Sequence, residues 1–317
     1  MPDASIIVPV YNKAAYLATA LNSVFSQSHI NFEVVIIDDG STDESPRLLA
    51  AINDRRARIF TQGNSGVSSA RNRGIQLARS DVILFFDADD WMHADYLHMQ
   101  LRTMELHQNR DFFATAFKRF SAHDTSPAPY QPDAYEPVVV IEDLPGAWLK
   151  GQTFITSCVA VRRRALMAQS SWFPVGESFG EDMDLWLRLA ENHALVLLPQ
   201  ALIGYREDAV GSLTSMKSTT TLPAYIGRLE TRARSMPRGS TLRVSTLNYA
   251  ADARISLARH LMAQGLRLKS ARALLAALPR GFCRPRWWVT LAMGALFPRD
   301  AVGAWERYRI ARTQKRV

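Results

Sequence analysis

The first ninety residues alternate strand-like apolar runs with helix-like amphipathic segments. The runs are "SIIVPV" (5–10), "FEVVIID" (32–38), "ARIFTQ" (57–62) and "DVILFF" (81–86). Between them lie "AAYLATALNSVFSQ" (14–27), "ESPRLLAAIND" (44–54) and "VSSARNRGIQLAR" (67–79). In the first of these, Leu17, Leu21, Val24 and Phe25 share one helical face, the spacing of a helix that buries a single stripe. Pro46 falls in the first turn of the second, where a missing N–H is harmless. Such strands, linked through helices, predict a mostly parallel sheet covered on both faces.

A polar cluster follows each run: Tyr11-Asn12, Asp38-Asp39-Gly40, Gly63-Asn64-Ser65-Gly66, and Asp87 to Asp90. All four therefore sit at carboxyl ends of strands, the edge at which open α/β sheets bind ligands. The last cluster sets three like charges in four positions. In an extended segment, residues two apart point to one side, so Asp87 and Asp89 on either side of Ala88 can address one cation. Hard oxygen ligands suit Mg²⁺ or Mn²⁺, and Mg²⁺ commonly takes one or two carboxylates plus substrate phosphates. The plainer alternative is a solvated loop, with Asp90 capping a helix that begins near Trp91.

The other clusters also admit two readings. "DDGSTDES" (38–45) makes a turn and a helix cap, or places Asp39 against a nucleobase ring N–H. "GNSGVSSARNRGI" (63–75) is neither a dinucleotide fingerprint nor a P-loop. Its glycines suit a turn and close helix packing at Gly74, while Arg71 and Arg73 either pair with the acids or hold a diphosphate or base by their planar forks. "GEDMDLWLRL" (180–189) opens a helix with Glu181, Asp182 and Asp184. Those acids favour the helix dipole, or one of them is a general base for a hydroxyl proton.

Beyond residue 111 the pattern weakens, and "SAHDTSPAPYQPDAYEP" (121–137) reads as a polar surface excursion. "TSCVAVRRRALM" (156–167) reads as a strand and a helix start, "ALVLLPQALIGYRED" (194–208) as a strand, and 208–221 as loop. Leu and Ala recur at helical spacing over 241–278, with Gly265 as the corner of a helical hairpin. Two cysteines, Cys158 and Cys283, form no disulfide framework or paired-thiol metal motif, and a reducing compartment is expected. The opening residues lack the pattern of a secretory leader, and no apolar stretch reaches the ~18–20 residues of a spanning helix.

The net charge of +8 is unevenly spread. Residues 1–227 carry 19 Lys/Arg against 26 Asp/Glu, whereas residues 228–317 carry 19 Lys/Arg against four acids. A catalytic unit over 1–225 and a basic helical region over 226–317 are expected, the second facing an anionic partner.

In order and spacing, "SIIVPVYNKAAYLATALNSVFSQS", "EVVIIDDGSTDES", "GNSGVSSARNRGI", "ILFFDADD" and "GEDMDLWLRL" resemble glycosyltransferase family 2, the inverting transferases of GT-A fold, over about residues 4–215. The resemblance implies a Rossmann-like α/β fold, here with a C-terminal helical extension, and a nucleotide-diphospho-sugar donor with UDP as its usual nucleotide. It places Pro9, Val10 and Tyr11 along the base, Asp39 on uracil and Arg71 on base and phosphate. It sets Asp87, with Ala88, on the ribose side, makes Asp89 the principal ligand of Mg²⁺ or Mn²⁺ in a DXD motif with Asp87 beside it, and makes Asp182 the catalytic base with Glu181 next to it. The implied acceptor is a saccharide or lipid-linked saccharide hydroxyl in surface polysaccharide or glycolipid synthesis. The chain departs from the family where Tyr205-Arg206 is followed by Glu207 and Asp208 instead of a basic residue, a change that bears on how the 208–216 loop closes over the donor.

Two other functions fit the residues less well. A nucleotidyltransferase wants a glycine-rich signature with a lysine near the first loop, and "VPVYNKAAY" has no such glycines; a non-catalytic sugar-nucleotide binder has no use for a base. In the tail, the apolar core Trp287–Phe297 of "FCRPRWWVTLAMGALFPRD" is too short to span a bilayer but suits its interface, with tryptophans and arginines at its flank. Packing on the catalytic unit is the alternative. Peripheral contact at the cytoplasmic face of a membrane is expected, and nucleic acid is not, because no recognised binding motif accompanies the charge.

Overall fold

In a computed structural model of the chain, the described residues are 1–121, 137–177, 179–207 and 220–296. The opening alternation forms as expected: β1 (Ala4–Val10), α1 (Ala14–Phe25), β2 (Phe32–Asp38), α2 (Ser45–Ala50), β3 (Ala57–Thr61), α3 (Val67–Leu77) and β4 (Val82–Phe85). There follow β5 (Trp91–Met92), α4 (Tyr96–Leu106), β6 (Phe112–Phe120), β7 (Val139–Ile141), α5 (Leu144–Trp148), β8 (Val159–Arg162), α6 (Arg163–Met167), α7 (Glu181–Leu189) and β9 (Leu195–Arg206). Helices α8 (Ala224–Ser235), α9 (Thr241–Ala263), α10 (Arg267–Ala276), α11 (Leu278–Gly281) and α12 (Pro285–Leu296) complete the described chain.

Among the described residues, one nine-stranded sheet runs β3-β2-β1-β4-β8-β6-β9-β5, with β7 on β9. The half β3-β2-β1-β4 is parallel, and its carboxyl ends share one edge. Beyond it β8 is antiparallel to β4 and β6, while β6 and β9 are parallel. Strand β2 is buried along its whole length and β1 along nearly all of it, which is why their sequences are apolar without alternation. Helix α3 lies close to β1: a Cβ on Gly74 would meet Ile7 Cγ2 at 2.3 Å, so this position has no room for a side chain. Val35, Ile37 and Ala70 pack together beneath it with Phe60 and Leu77.

Two expectations are corrected. Residues 112–120, where the pattern weakens, form the nine-residue strand β6 in the middle of the second half-sheet. Its partners β8 and β9 come from far along the chain, so its state is set by pairing that local pattern does not carry. Trp91 does not begin a helix; with Met92 it pairs antiparallel to Ile203 and Gly204, and α4 starts at Tyr96.

The chain divides into two compact units, Met1–Leu144 with Gln152–Met216, and Pro145–Gly151 with Lys217–Val317, where the sequence suggested a division at 225/226. In the second unit the expected hairpin is formed by α9 and α10, with Gly265 between them. Its core gathers Ile255, Ala258, Leu274, Ala277 and Trp287. Buried Arg259 is held there by Thr290 Oγ1 at 2.6 Å. The expected excursion lies at 122–136 outside the described residues, as do the 208–216 loop and the chain from 297 onward.

Candidate active site

Loops at the parallel strand edge are stitched to one another by short polar side chains. Asn12, after β1, has a φ of 51°, a left-handed conformation that asparagine tolerates better than most residues. Its Oδ1 accepts the Thr42 and Asp43 N–H groups at 2.7 and 3.3 Å, and its own N–H donates to Ser41 Oγ at 3.0 Å. Asp43 Oδ2 in turn accepts the N–H of Ala14, the first residue of α1. Gly40 has a φ of 73°, and a Cβ there would come within 2.9 Å of the Asn64 nitrogen, so only glycine fits this crossing.

Asp39 is 2% exposed. Its Oδ1 accepts Gln62 Nε2 at 2.7 Å and the Ser65 N–H at 2.9 Å, and its Oδ2 accepts the Gly66 N–H at 2.8 Å. In this state its carboxylate shapes the loop into α3. Pro9 and Val10 pair in register with Ile37 and Asp38, Val10 buried, while Tyr11 just beyond them is exposed.

The segment after β4 is a turn rather than the extended strand expected at 87–89, closed by the Asp90 N–H on the Asp87 carbonyl at 3.1 Å. Asp87 and Asp89 consequently take different basic partners. Asp87 Oδ1 accepts Arg71 Nη2 at 2.8 Å, and Asp89 Oδ2 accepts Lys13 Nζ at 2.5 Å. Ala88 between them is buried. Asp90 is buried too, and it caps no helix: Ser157 Oγ donates to its Oδ2 at 2.6 Å and the Arg206 N–H to its Oδ1 at 3.1 Å. Burial, with the charges of Asp89 and Asp87, pushes its carboxyl well above the usual range and favours the protonated form.

Arg71 connects this turn to α7. Its buried guanidinium gives one nitrogen to Asp87 and another to Glu181 Oε1 at 3.1 Å, and stands 5.3 Å from the Phe173 ring centroid. Burial disfavours its charge, but Asp87, Glu181 and Asp182 outweigh that and raise its pKa. Glu181 is nearly as buried. Burial and the neighbouring Asp182 charge raise its carboxyl above the ordinary glutamate value, against the pull of Arg71. Asp182 is the more open of the two acids: Thr156 Oγ1 donates to its Oδ2 at 2.7 Å and the Met183 N–H to its Oδ1. The next residue, Ser157, touches both Asp90 and, through its Oγ, the Asp87 N–H at 3.0 Å. Strand-end aspartates and helix acids thus meet through Arg71 and the Thr156-Ser157 pair.

Other candidates stand apart. Arg73 donates to the Thr61 carbonyl at 2.8 Å and lies over Phe60, so it braces the sheet edge. Asp184 is buried against Arg188. Burial pushes the Cys158 thiol up to about 12, which makes it an inert core group. Sequence reasoning missed Lys13, Thr156 and Ser157; only the lysine left a trace, as the residue directly after the Tyr11-Asn12 cluster.

No group of three or more His, Cys, Asp or Glu converges among the described residues. A divalent ion at this edge would therefore draw one or two protein carboxylates and complete its shell with phosphate and water, the habit of Mg²⁺. Asp89 fits that role, since a partly exposed oxygen of its carboxylate already faces a cation, the Lys13 ammonium. Two cavities, of about 300 and 850 Å³, lie away from these side chains, lined by residues such as Thr19 and Trp91, and His98 and Arg162.

Residues 1–349 of S. aureus TarS, crystallised with UDP-GlcNAc, share this fold with a TM-score of 0.66 at 19% identity, over 88% of this chain and 81% of that one. The chain thus has the GT-A fold, with a helical C-terminal region. The "Glycosyl transferase family 2" model matches residues 5–169, and the chain belongs to that family. An uncharacterized glycosyltransferase of Rickettsia felis is 33% identical over 199 residues, covering 60% of this chain and 31% of that protein. The putative glycosyltransferase EpsH of Bacillus subtilis is 41% identical over 104 residues, 32% of this chain and 30% of that protein. The chain matches less than a third of the length of either relative.

Proposed function

We propose that the protein is an inverting, metal-dependent transferase that moves a sugar from a nucleotide-diphospho-sugar, UDP-linked in the first instance, to a hydroxyl of a saccharide or lipid-linked saccharide in surface polysaccharide or glycolipid synthesis. One observation carries the reading: Arg71 ties Asp87 at the end of β4 to Glu181 at the start of α7, so a donor-side aspartate and an acid pair share one charge network. The UDP-GlcNAc complex of the TarS fragment supports the choice of donor.

The residues divide the work by exposure. Tyr11 offers an open ring to the base. For Asp39 to accept a base N–H it must release one of its present donors, of which the Gln62 side chain is the easiest to move. Asp89, with Asp87, would hold Mg²⁺ or Mn²⁺, which when bound neutralises the departing diphosphate as a Lewis acid. Asp182 removes the acceptor proton; the acceptor oxygen then bonds to the anomeric carbon as the bond to the diphosphate oxygen breaks, and the centre inverts. Thr156 and the Met183 N–H orient the Asp182 carboxylate. Glu181, buried against Arg71, acts as a positioning residue.

Asp182→Asn tests this. Donor affinity, measured by calorimetry with UDP-sugars, is expected to stay within about twofold, while transfer falls by ~10²–10⁴. Unchanged turnover would remove Asp182 from the chemistry.

A further inference from the structure

Helix α12 is apolar on both of its faces. Trp287, Thr290 and Met293 point into the second unit. The opposite face carries Trp288, Val289, Leu291 and Leu296, between 42% and 76% exposed, with exposed Ala292 and Ala295 among them. From Trp287 to Leu296 there is no charged residue. A surface helix ordinarily turns polar side chains outward, and one apolar all round belongs in a core or in lipid.

Phe282 joins this face: Trp288 Nε1 donates to the Phe282 carbonyl at 2.9 Å, and the two rings stand edge to face 4.9 Å apart. Leu275 and Leu278, upstream in the chain, are also exposed. Exposed Arg267, Lys269, Arg272 and Arg280 belong to the same run of helices.

Length and charge decide the occupant. Twelve residues rise ~18 Å, against the ~30 Å of a bilayer core, and no described helix is long and apolar enough to cross. A second copy of the chain would bring the same basic side chains to the contact, and like charges would face each other. Anionic headgroups complement them, with tryptophan suited to the interfacial depth. We propose that the outward face of α11 and α12, with its surrounding arginines and lysine, seats the protein flat on an anionic lipid surface. The inference uses no residue of the candidate active site and stands independently of the function proposed for it.

The test is co-sedimentation of the full chain with phosphatidylcholine vesicles, with and without a third of phosphatidylglycerol. Wild type is expected to pellet with the anionic vesicles only and to be released by salt. Trp288→Gln with Leu296→Gln should weaken partitioning at least tenfold. Arg272→Glu with Arg280→Glu should weaken it more, since each basic residue near the surface is worth roughly fivefold. Helical circular dichroism and the thermal melt should match wild type in both, which shows that they fold. Wild type left in the supernatant would overturn the proposal. So would variants that pellet like wild type, or a wild-type dimer by light scattering that the Trp288 variant converts to monomer without any lipid binding.

Discussion

Replacing Arg71 by methionine keeps the bulk of the side chain near Phe173 and removes the charge that serves two carboxylates. Taking one member out of a buried ion pair typically costs ~3–5 kcal/mol. Here the two ends differ, since the Asp87 side chain is 30% exposed and that of Glu181 only 9%. Water relieves the first, so most of the loss falls on Glu181, and about 3 kcal/mol is expected at pH 7.5. Glu181 also has an escape, because its carboxyl is already raised by burial and by Asp182. Without Arg71 it rises further, and the folded form then holds a proton that the unfolded chain releases. A raised acid leaves the fold most stable below the unfolded value, 4.5, and stability declines as pH climbs toward the folded value. Arg71→Met should therefore gain stability on acidification from pH 8 to 5. Arg71→Met with Glu181→Gln should lack that slope and exceed the single variant by about 1–2 kcal/mol at pH 7.5. Urea unfolding followed by tryptophan fluorescence is a direct readout, because Trp186 packs 5.6 Å from Phe173 under the guanidinium. A single variant with a flat pH profile, no less stable than the double, would refute the bridge as the organiser of the site.

Two further perturbations probe the sheet and the strand edge. Glu33 is buried between Ser5 Oγ at 2.6 Å, Arg58 Nη1 at 2.7 Å and the Arg79 N–H at 2.6 Å. Burial raises its carboxyl, but these three bonds outweigh that and set it below the ordinary 4.5. Its contribution is thus full above that value and lost as pH falls through the folded one. Glu33→Gln should cost about 2 kcal/mol near neutrality and flatten the acid limb of a thermal-melt series. Lys13→Gln frees the Asp89 oxygen from its ammonium, and Mn²⁺ binding without donor, read by electron paramagnetic resonance, should tighten several-fold. An unchanged Mn²⁺ affinity would mean that Lys13 and the ion do not compete.

The parallel half of the sheet was legible because its information is local. Each of β1 to β4 is an apolar run bounded by its own turn chemistry, and the carboxyl-end rule then assembled the clusters at Tyr11, Asp39, residues 63–66 and Asp87 on one edge, while Arg71 came from the family resemblance. Helix α7 and the α9–α10 corner at Gly265 were readable for the same reason. Strand β6 was not, because "FFATAFKRF" becomes a strand by pairing with β8 and β9. Lys13, Thr156 and Ser157 escaped on similar grounds, for their bonds to Asp89, Asp182 and Asp90 close separations of 76, 26 and 67 residues. The notion of two aspartates presented side by side by an extended strand failed where the chain turned instead.

That turn gives the acidic run a different logic. Two ionised carboxylates about 4 Å apart repel by ~4 kcal/mol at an effective dielectric of 20, so three in four positions need separate relief. Asp90 finds it in a proton, favoured by burial and by the charges of Asp89 and Asp87 against the pull of the two bonds it accepts. Asp87 finds it in a guanidinium that is itself pinned by Glu181 and Phe173, and which cannot leave without exposing two acids at once. Asp89 alone relies on a lysine, a flexible chain with a single strongly hydrated charge, and both side chains keep a partial exposure of 15% and 16%. Of the three, only that partner can be exchanged at little cost to the fold. On the proposed function, the cation that comes with the donor would enter at Asp89, and the asymmetry follows from which basic residue each acid meets.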